Sequence, residues 1–220
     1  MKIIDAVKKN TGRPYEILNV NRRQLPKFFV DMGYKVGVEV GVQRGFFTRR
    51  LLRVGLEVYA VDPWLSYDDY RPIDQEYYQR HQNRIFDAAK KNLEPWIENN
   101  KCHIVRKTSM NALEDFEDES LDFVYIDGHH GFKYVTEDIF GWSKKIRKGG
   151  CISGHDYAYG PWKENNPYIL QVKWVIDAYT SAFRISPWYV LGAKEKTKEG
   201  EKRDRFRSWM WLKGSEGGSA

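Results

Sequence analysis

The sequence predicts an α/β fold: a doubly wound, mostly parallel sheet covered by helices on both faces, with an antiparallel hairpin at its end. Three observations lead there. From Val36 onward, short apolar runs alternate with helical stretches, the rhythm of βαβ units. Several runs stop at an acid or glycine, as in VGVEVG, VYAVD and FVYIDG, which suits strands that finish at a ligand crevice. The last two apolar runs are joined by a charged segment, AKEKTKEGEKRD, and not by a helix.

Taken in order, residues 1–35 read as a helical lead-in, with turns at Thr11-Gly12-Arg13-Pro14 and Gly33, and with Leu25, Phe28, Phe29 and Met32 at helical spacing. The parallel strands are expected at Val36–Val40, Glu57–Val61, His103–Lys107, Leu121–Ile126 and Gly150–Gly154. Helices are expected near Phe46–Arg53, Gln75–Asn99, Met110–Phe116 and Lys133–Ile146. An irregular stretch, Tyr157–Pro167, precedes a helix near Ile169–Ser181 and the hairpin strands Phe183–Leu191 and Arg205–Leu212. The hairpin connection is too polar to pack, and residues 214–220, ending GSEGGSA, read as a flexible tail. Residues 36–213 therefore form one domain, on which residues 1–35 pack as an extension.

A chain of 220 residues with 41% hydrophobic and 30% charged residues suits one soluble globular domain and excludes a disordered chain. No run of apolar residues is long enough for a membrane span or a signal peptide, so a cytoplasmic location is expected. Cys102 and Cys151 are too few for a disulfide framework and lack zinc-site spacing. The net charge of +6 is concentrated before Val36, where Lys2, Lys8, Lys9, Arg13, Arg22, Arg23, Lys27 and Lys35 face only Asp5, Glu16 and Asp31. This face could draw an anionic partner such as a nucleotide-sugar, a lipid-linked glycan or nucleic acid, although no nucleic-acid-binding motif accompanies it and a solvated basic face explains it as well.

In VGVEVGVQRGFF a strand runs into Glu39, then Gly41 and Gly45, then a helix, so backbone can approach a ligand beside free helix N–H groups. The Gly-x-x-x-Gly spacing differs from the dinucleotide fingerprint, and Glu39 would repel a phosphate but suit a cationic ligand. Asp62, twenty-three residues after Glu39, stands at the next strand end, where it can accept from ribose hydroxyls. These residues, with Ser109-Met110 after the third strand, Asp127 after the fourth and Gly149-Gly150 before the fifth, resemble the class I S-adenosylmethionine-dependent methyltransferases. The resemblance covers about residues 36–213 and implies a Rossmann-like, seven-stranded sheet of order 3-2-1-4-5-7-6. It implies that Gly41 and Gly45 bracket the methionine part of S-adenosyl-L-methionine, that Glu39 supports the loop or meets the methionine amino group, that Asp62 holds the ribose, and that Ser109 and Met110 border the adenine.

Two polar strand ends, YIDGHH and CISGHDY, should face one crevice if the fourth and fifth strands are neighbours. Buried carboxylates there need a partner, and Asp127 and Asp156 with an imidazole between them could hold Mg²⁺ or Mn²⁺. A metal suits methyl transfer to oxygen, because a sugar or catechol hydroxyl is scarcely ionised at neutral pH and coordination lowers its pKa. The phrase IDGHH…EDIFGWSKKIRKGGCISGHDY resembles the metal-dependent sugar O-methyltransferases, the macrocin O-methyltransferase-like methyltransferase family 24. That resemblance implies Asp127, His155 and Asp156 as the metal set, Asp127 bordering the cofactor too, and His130 as the base acting with Asp127. His155 departs from the family, which has an acid there. Arg71, Tyr77, Tyr78 and His81 fall in an insertion that suits a lid or substrate wall and, at least as well, a solvated helix. The implied acceptor is a small molecule or glycan; nucleic acid is disfavoured, a non-catalytic cofactor-binding scaffold is the contrasting class, and homo-oligomerisation is left open.

Overall fold

The computed structural model describes residues 2–9, 12–65, 75–160, 170–195 and 198–214. In chain order the elements are α1 (Ile3–Lys9), β1 (Tyr15–Ile17), α2 (Leu25–Asp31), β2 (Val36–Val40), α3 (Thr48–Leu52), β3 (Glu57–Val61), α4 (Gln75–Glu98) and β4 (Cys102–Val105). There follow α5 (Ser109–Ala112), β5 (Leu121–Ile126), α6 (Phe132–Lys145), β6 (Ile146–Gly154), α7 (Val172–Ala182), β7 (Trp188–Leu191) and β8 (Ser208–Leu212).

The sheet has eight strands in the order β1-β7-β8-β6-β5-β2-β3-β4. Counted from Val36 this is the expected 3-2-1-4-5-7-6, with one strand more than the seven anticipated. The addition is β1, which pairs in parallel with β7 through Tyr15–Tyr189, Glu16–Val190 and Ile17–Leu191, so the lead-in is not wholly helical. Only three residues long, it has little hydrophobic periodicity of its own; Ile17 is buried because β7 offers it an edge. β8 pairs antiparallel to both β6 and β7, as the hairpin requires.

The sheet separates two apolar cores, which makes the fold doubly wound. Along β5, Phe123 and Tyr125 point into one, beside Phe28, Phe29, Leu51 and Leu93, while Val124 and Ile126 enter the other, beside Val135, Ile139, Trp142 and Ile176. Cys102 and Cys151 are buried free thiols.

Most boundary differences have local causes. The hairpin strand expected from Phe183 begins at Trp188, because Phe183 caps α7, Arg184 is left-handed (φ 53°) and Pro187 lacks an N–H. The strand expected from Gly150 starts at Ile146, opposite Leu121, and crosses a register shift between Leu121 and Phe123. Glycine in the left-handed region at Gly45 delays α3 to Thr48. The polar hairpin connection is partly tied down: Lys202 N–H donates to Leu18 O and Asp204 N–H to Ala193 O, both at 2.8 Å. Arg71, Pro161, Trp162 and residues 215–220 lie outside the described residues.

Candidate active site

The strand exits are level because each is hydrogen-bonded to its neighbour. Gly41 N–H donates to Val61 O (2.9 Å), Asp62 N–H to Val105 O (3.2 Å), Asp127 N–H to Val40 O (2.8 Å) and His155 N–H to Ile126 O (3.0 Å). Order reverses at β2, which lies between β3 and β5, and a cavity of about 810 Å³ opens there. Glu39, Gly41, Asp62, Ser109, Met110, Asp127 and His130 all line it. Of the residues singled out from the sequence, Gly45, His155 and Asp156 are not part of its lining.

At the glycine end, Gly41 has φ 90°, and a Cβ there would lie 2.2 Å from Asp127 O. Gly45 turns the chain tightly against Leu93 of α4. Glu39 is 2% exposed; burial holds its carboxyl well above the usual range, the Thr48 hydroxyl only partly offsets this, and Oε2 has no hydrogen-bond partner among the described residues. An orphaned acid oxygen aimed at a cavity is the counterpart of an ammonium group. Asp62 is already engaged: Oδ2 accepts the Gln43 N–H (2.9 Å) and Oδ1 the Trp64 N–H (2.8 Å), and both donors are left-handed residues, with φ of 52° and 45°. Each oxygen keeps a lone pair, so Asp62 both fixes the loop and remains an acceptor.

Ser109 opens α5, where the Thr108 side chain accepts the Asn111 N–H. Its Oγ accepts the Trp142 indole N–H at 2.8 Å and bonds to Asp138. Asp138 was not anticipated from the sequence. It lies on the buried face of α6 with Val135, Ile139 and Trp142, and an acid breaking that apolar stripe was the available signal. Burial pushes its carboxyl up to about 7 against the pull of Ser109.

The fourth and fifth strand ends do converge. Among the described residues, Asp127, His130 and Asp156 form the group whose donor atoms lie within 4.8 Å of one another. His130 Nε2 is 2.9 Å from Asp156 Oδ2 and 3.8 Å from Asp127 Oδ1, the longer distance being an ionic contact and not a hydrogen bond. His155, expected as a ligand, is buried and faces elsewhere in part: Nδ1 is 3.3 Å from Asp156 Oδ2 and 3.8 Å from Asp127 Oδ1, while Nε2 is 3.7 Å from Asp204 Oδ1. Asp156 itself is left-handed (φ 56°), a conformation that aims its side chain back at the cluster. His129 turns away, its Nδ1 accepting the Gly131 N–H and its ring against Tyr134.

Arg22 completes the cluster from outside the expected domain. An Asn21–Gln24 capping box holds the 3-10 turn Arg22–Gln24, and Arg22 Nη1 reaches Asp127 Oδ2 at 3.3 Å. No local pattern distinguished Arg22 or Asp204, since both arrive by chain topology.

Burial lowers the proton affinity of His130 and His155, but contacts with Asp127, Asp156 and Asp204 outweigh it and raise both to about 9. Asp156 is held well below the usual carboxylate range; burial would raise it, and the two imidazoles prevail. Without a bound cation, protons thus offset the carboxylates. A histidine with a raised pKa stabilises the fold fully below its ordinary value near 6.5 and loses that contribution as pH climbs to about 9. In the presence of chelator the thermal midpoint should therefore fall between pH 6.5 and 9, and His130→Asn should flatten the fall. A midpoint constant over that window would contradict the cluster as described.

Residues 38–157 match the family described as "Methyltransferase domain", methyltransferase family 24, which is more than half of the chain. The chain belongs to this methyltransferase family. Its fold is the class I S-adenosylmethionine-dependent one expected of such a methyltransferase. The O-methyltransferase of Bacillus cereus in complex with SAH is 18% identical with a TM-score of 0.56, covering 87% of this chain and 80% of that one. TomG of Streptomyces achromogenes, an O-methyltransferase involved in tomaymycin synthesis and solved with SAM, is 11% identical with a TM-score of 0.56, covering 88% and 79%. An rRNA methylase of Streptococcus thermophilus is 13% identical with a TM-score of 0.55, covering 86% and 93%. At these identities the likeness is one of fold and does not separate acceptor classes. Among curated proteins, the uncharacterized protein y4gI of Sinorhizobium fredii (strain NBRC 101917 / NGR234) is 26% identical over 140 residues, 57% of this chain; the match spans 14% of that relative's length. No helix among the described residues is long and apolar enough to cross a membrane.

Proposed function

We propose that this methyltransferase transfers the methyl group of S-adenosyl-L-methionine to a hydroxyl, with divalent-metal assistance, and that the acceptor is a sugar of a glycan or glycosylated small molecule. The observation that carries the reading is one cavity lined both by the cradle of Glu39, Gly41, Asp62, Ser109 and Met110 and by Asp127 and His130, whose donor atoms lie within 4.8 Å of one another and of Asp156.

When bound, the cofactor supplies an electrophilic methyl on a sulfonium, and Mg²⁺ or Mn²⁺ lowers the pKa of an acceptor hydroxyl. Two converging carboxylates suit such an ion, and Asp127 and Asp156 would hold it, with His155 bracing Asp156 and His130 Nε2 left for the acceptor proton. Glu39 receives the methionine ammonium, Asp62 accepts from the ribose, and Ser109 and Met110 border the adenine. His130 takes the acceptor proton at Nε2 once the charge of Asp127 and Asp156 is taken up; until then its raised pKa keeps it an acid. Phe46, Tyr78 and Tyr134 give the cavity flat apolar walls of the kind that stack on sugar faces, and exclude water from the reacting atoms.

Steady-state methyl transfer to a panel of sugar and catechol acceptors, with chelator and with restored Mg²⁺ or Mn²⁺, tests this. Restored metal should raise the rate by about a hundredfold or more. Equal rates with and without chelator would remove the metal role, and failure of S-adenosylhomocysteine to bind in calorimetry would favour a scaffold.

A further inference from the structure

The arginines of this chain are not spread evenly. Arg22 and Arg44 line the cavity, and Phe46 and Phe47, also in its wall, lead directly into α3, which carries Arg49 and Arg50 and is followed by Arg53. The Arg49 guanidinium sits over the Phe46 ring, 5.9 Å from its centroid. Arg23 neighbours Arg22 in the capped 3-10 turn. Among the described residues Arg23, Arg50 and Arg53 are exposed and have no carboxylate within 4.0 Å, whereas Arg22 is held by Asp127. Burial and the charges of Arg23, Arg22, Arg53 and Arg49 lower the proton affinity of Arg50, whose helix leaves the same cavity wall that Arg22 lines.

Like charges gathered without counter-charge raise the free energy of the folded chain, and a cleft edged by them concentrates anions. The planar, five-donor guanidinium matches phosphate oxygens in pairs, so several converging arginines suit one di-anionic group better than scattered carboxylates. We propose that the acceptor of this methyltransferase bears a phosphate or diphosphate group, held by the Arg23–Arg50–Arg53 face while its sugar enters the cavity past Arg22. This names the acceptor class for the activity proposed above and rests on that reading. Arg22 is then the residue between the two ends, one side toward Asp127 and the other toward the anionic arm.

The test is calorimetric titration of the full chain, saturated with S-adenosylhomocysteine and kept in chelator, with glucose 1-phosphate, UDP-glucose, methyl glucoside and a single-stranded RNA 12-mer. Glucose 1-phosphate and UDP-glucose should bind and methyl glucoside should bind at least about tenfold more weakly, with added salt reducing the difference. The exposed triple variant Arg23→Gln/Arg50→Gln/Arg53→Gln should lose about tenfold or more in phosphate-ligand affinity while its S-adenosylhomocysteine affinity is unchanged. UDP-glucose bound more tightly than glucose 1-phosphate assigns the face to a nucleoside diphosphate sugar, and the reverse order to a sugar phosphate. Equal affinity for phosphorylated and plain sugar, affinity unaffected by the triple variant, or an RNA 12-mer that outcompetes both phosphate ligands would each overturn the proposal. S-adenosylhomocysteine binding, titrated beforehand in a separate run, reports on the cofactor reading, and repeating the phosphate-ligand titrations without it keeps the two failures apart.

Discussion

Replacing Asp127 by asparagine is expected to lower methyl transfer by about a hundred- to a thousandfold while S-adenosylhomocysteine still binds. The substitution keeps side-chain volume and leaves the Asp127 backbone N–H bonded to Val40 O, so the strand exit is preserved. What disappears is the negative charge that Arg22, His130 and His155 all face at 3.3–3.8 Å. One consequence is loss of a cation ligand. A second is that His130, no longer held by two carboxylates, gives up its proton at lower pH than about 9. The residual rate should therefore show its rising, acidic limb shifted to lower pH, which a merely structural change would not do. A variant with wild-type rate and pH profile would dismiss Asp127 from the chemistry.

Gly41→Ala should be more damaging to the fold than any surface change, costing about 3 kcal/mol or more and abolishing cofactor binding. Two penalties coincide at this residue. Its φ of 90° is a region that L side chains rarely adopt, and the added methyl would lie 2.2 Å from Asp127 O, 2.5 Å from Asp127 C and 2.6 Å from Gly128 N. All three atoms are backbone of the neighbouring strand exit, so no rotamer change relieves them. The β2 and β5 exits must separate, and the cofactor loop moves with them. Chemical denaturation and calorimetry with S-adenosylhomocysteine measure both effects. Gly55→Ala is the control for backbone strain alone: its φ is also 90°, but nothing lies within 4 Å of the added carbon. Equal losses in the two variants would reduce Gly41 to a matter of φ and remove the close approach of β2 and β5 from the argument.

Legibility in the sequence followed the range of the forces involved. β2, β3 and β5 stood out because each is a run of β-branched and aromatic residues buried on both faces, and their ends were set at the residues where the runs stop. The placing of Asp62 and Asp127 in one crevice, with Asp156 close to Asp127, followed from strand-end topology, which needs only the order of the sheet. β1 was hidden because three residues have no period to read, and their pairing partner lies far along the chain. Arg22 was visible only as charge, since its contact with Asp127 spans 105 residues. His155 and His130 were separated for a similar reason: both imidazoles face Asp127 and Asp156, and what distinguishes His155 is Asp204, which approaches its other nitrogen from the hairpin connection.

The short strand near the start carries a consequence for handling the protein. β7 is flanked by β8 on one side and by β1 on the other, so β1 is the sheet's terminal strand on that side. A shortened chain that began at the expected boundary near Val36 would leave the outer rim of β7 as a row of unpaired N–H and C=O groups, with Tyr189 and Leu191, both wholly buried, newly wetted. Such a rim is a template for strand addition from a second molecule, and the truncated protein would be prone to self-association. The first seventeen residues thus act as a solubility guard, and fusion partners are better joined at the other end.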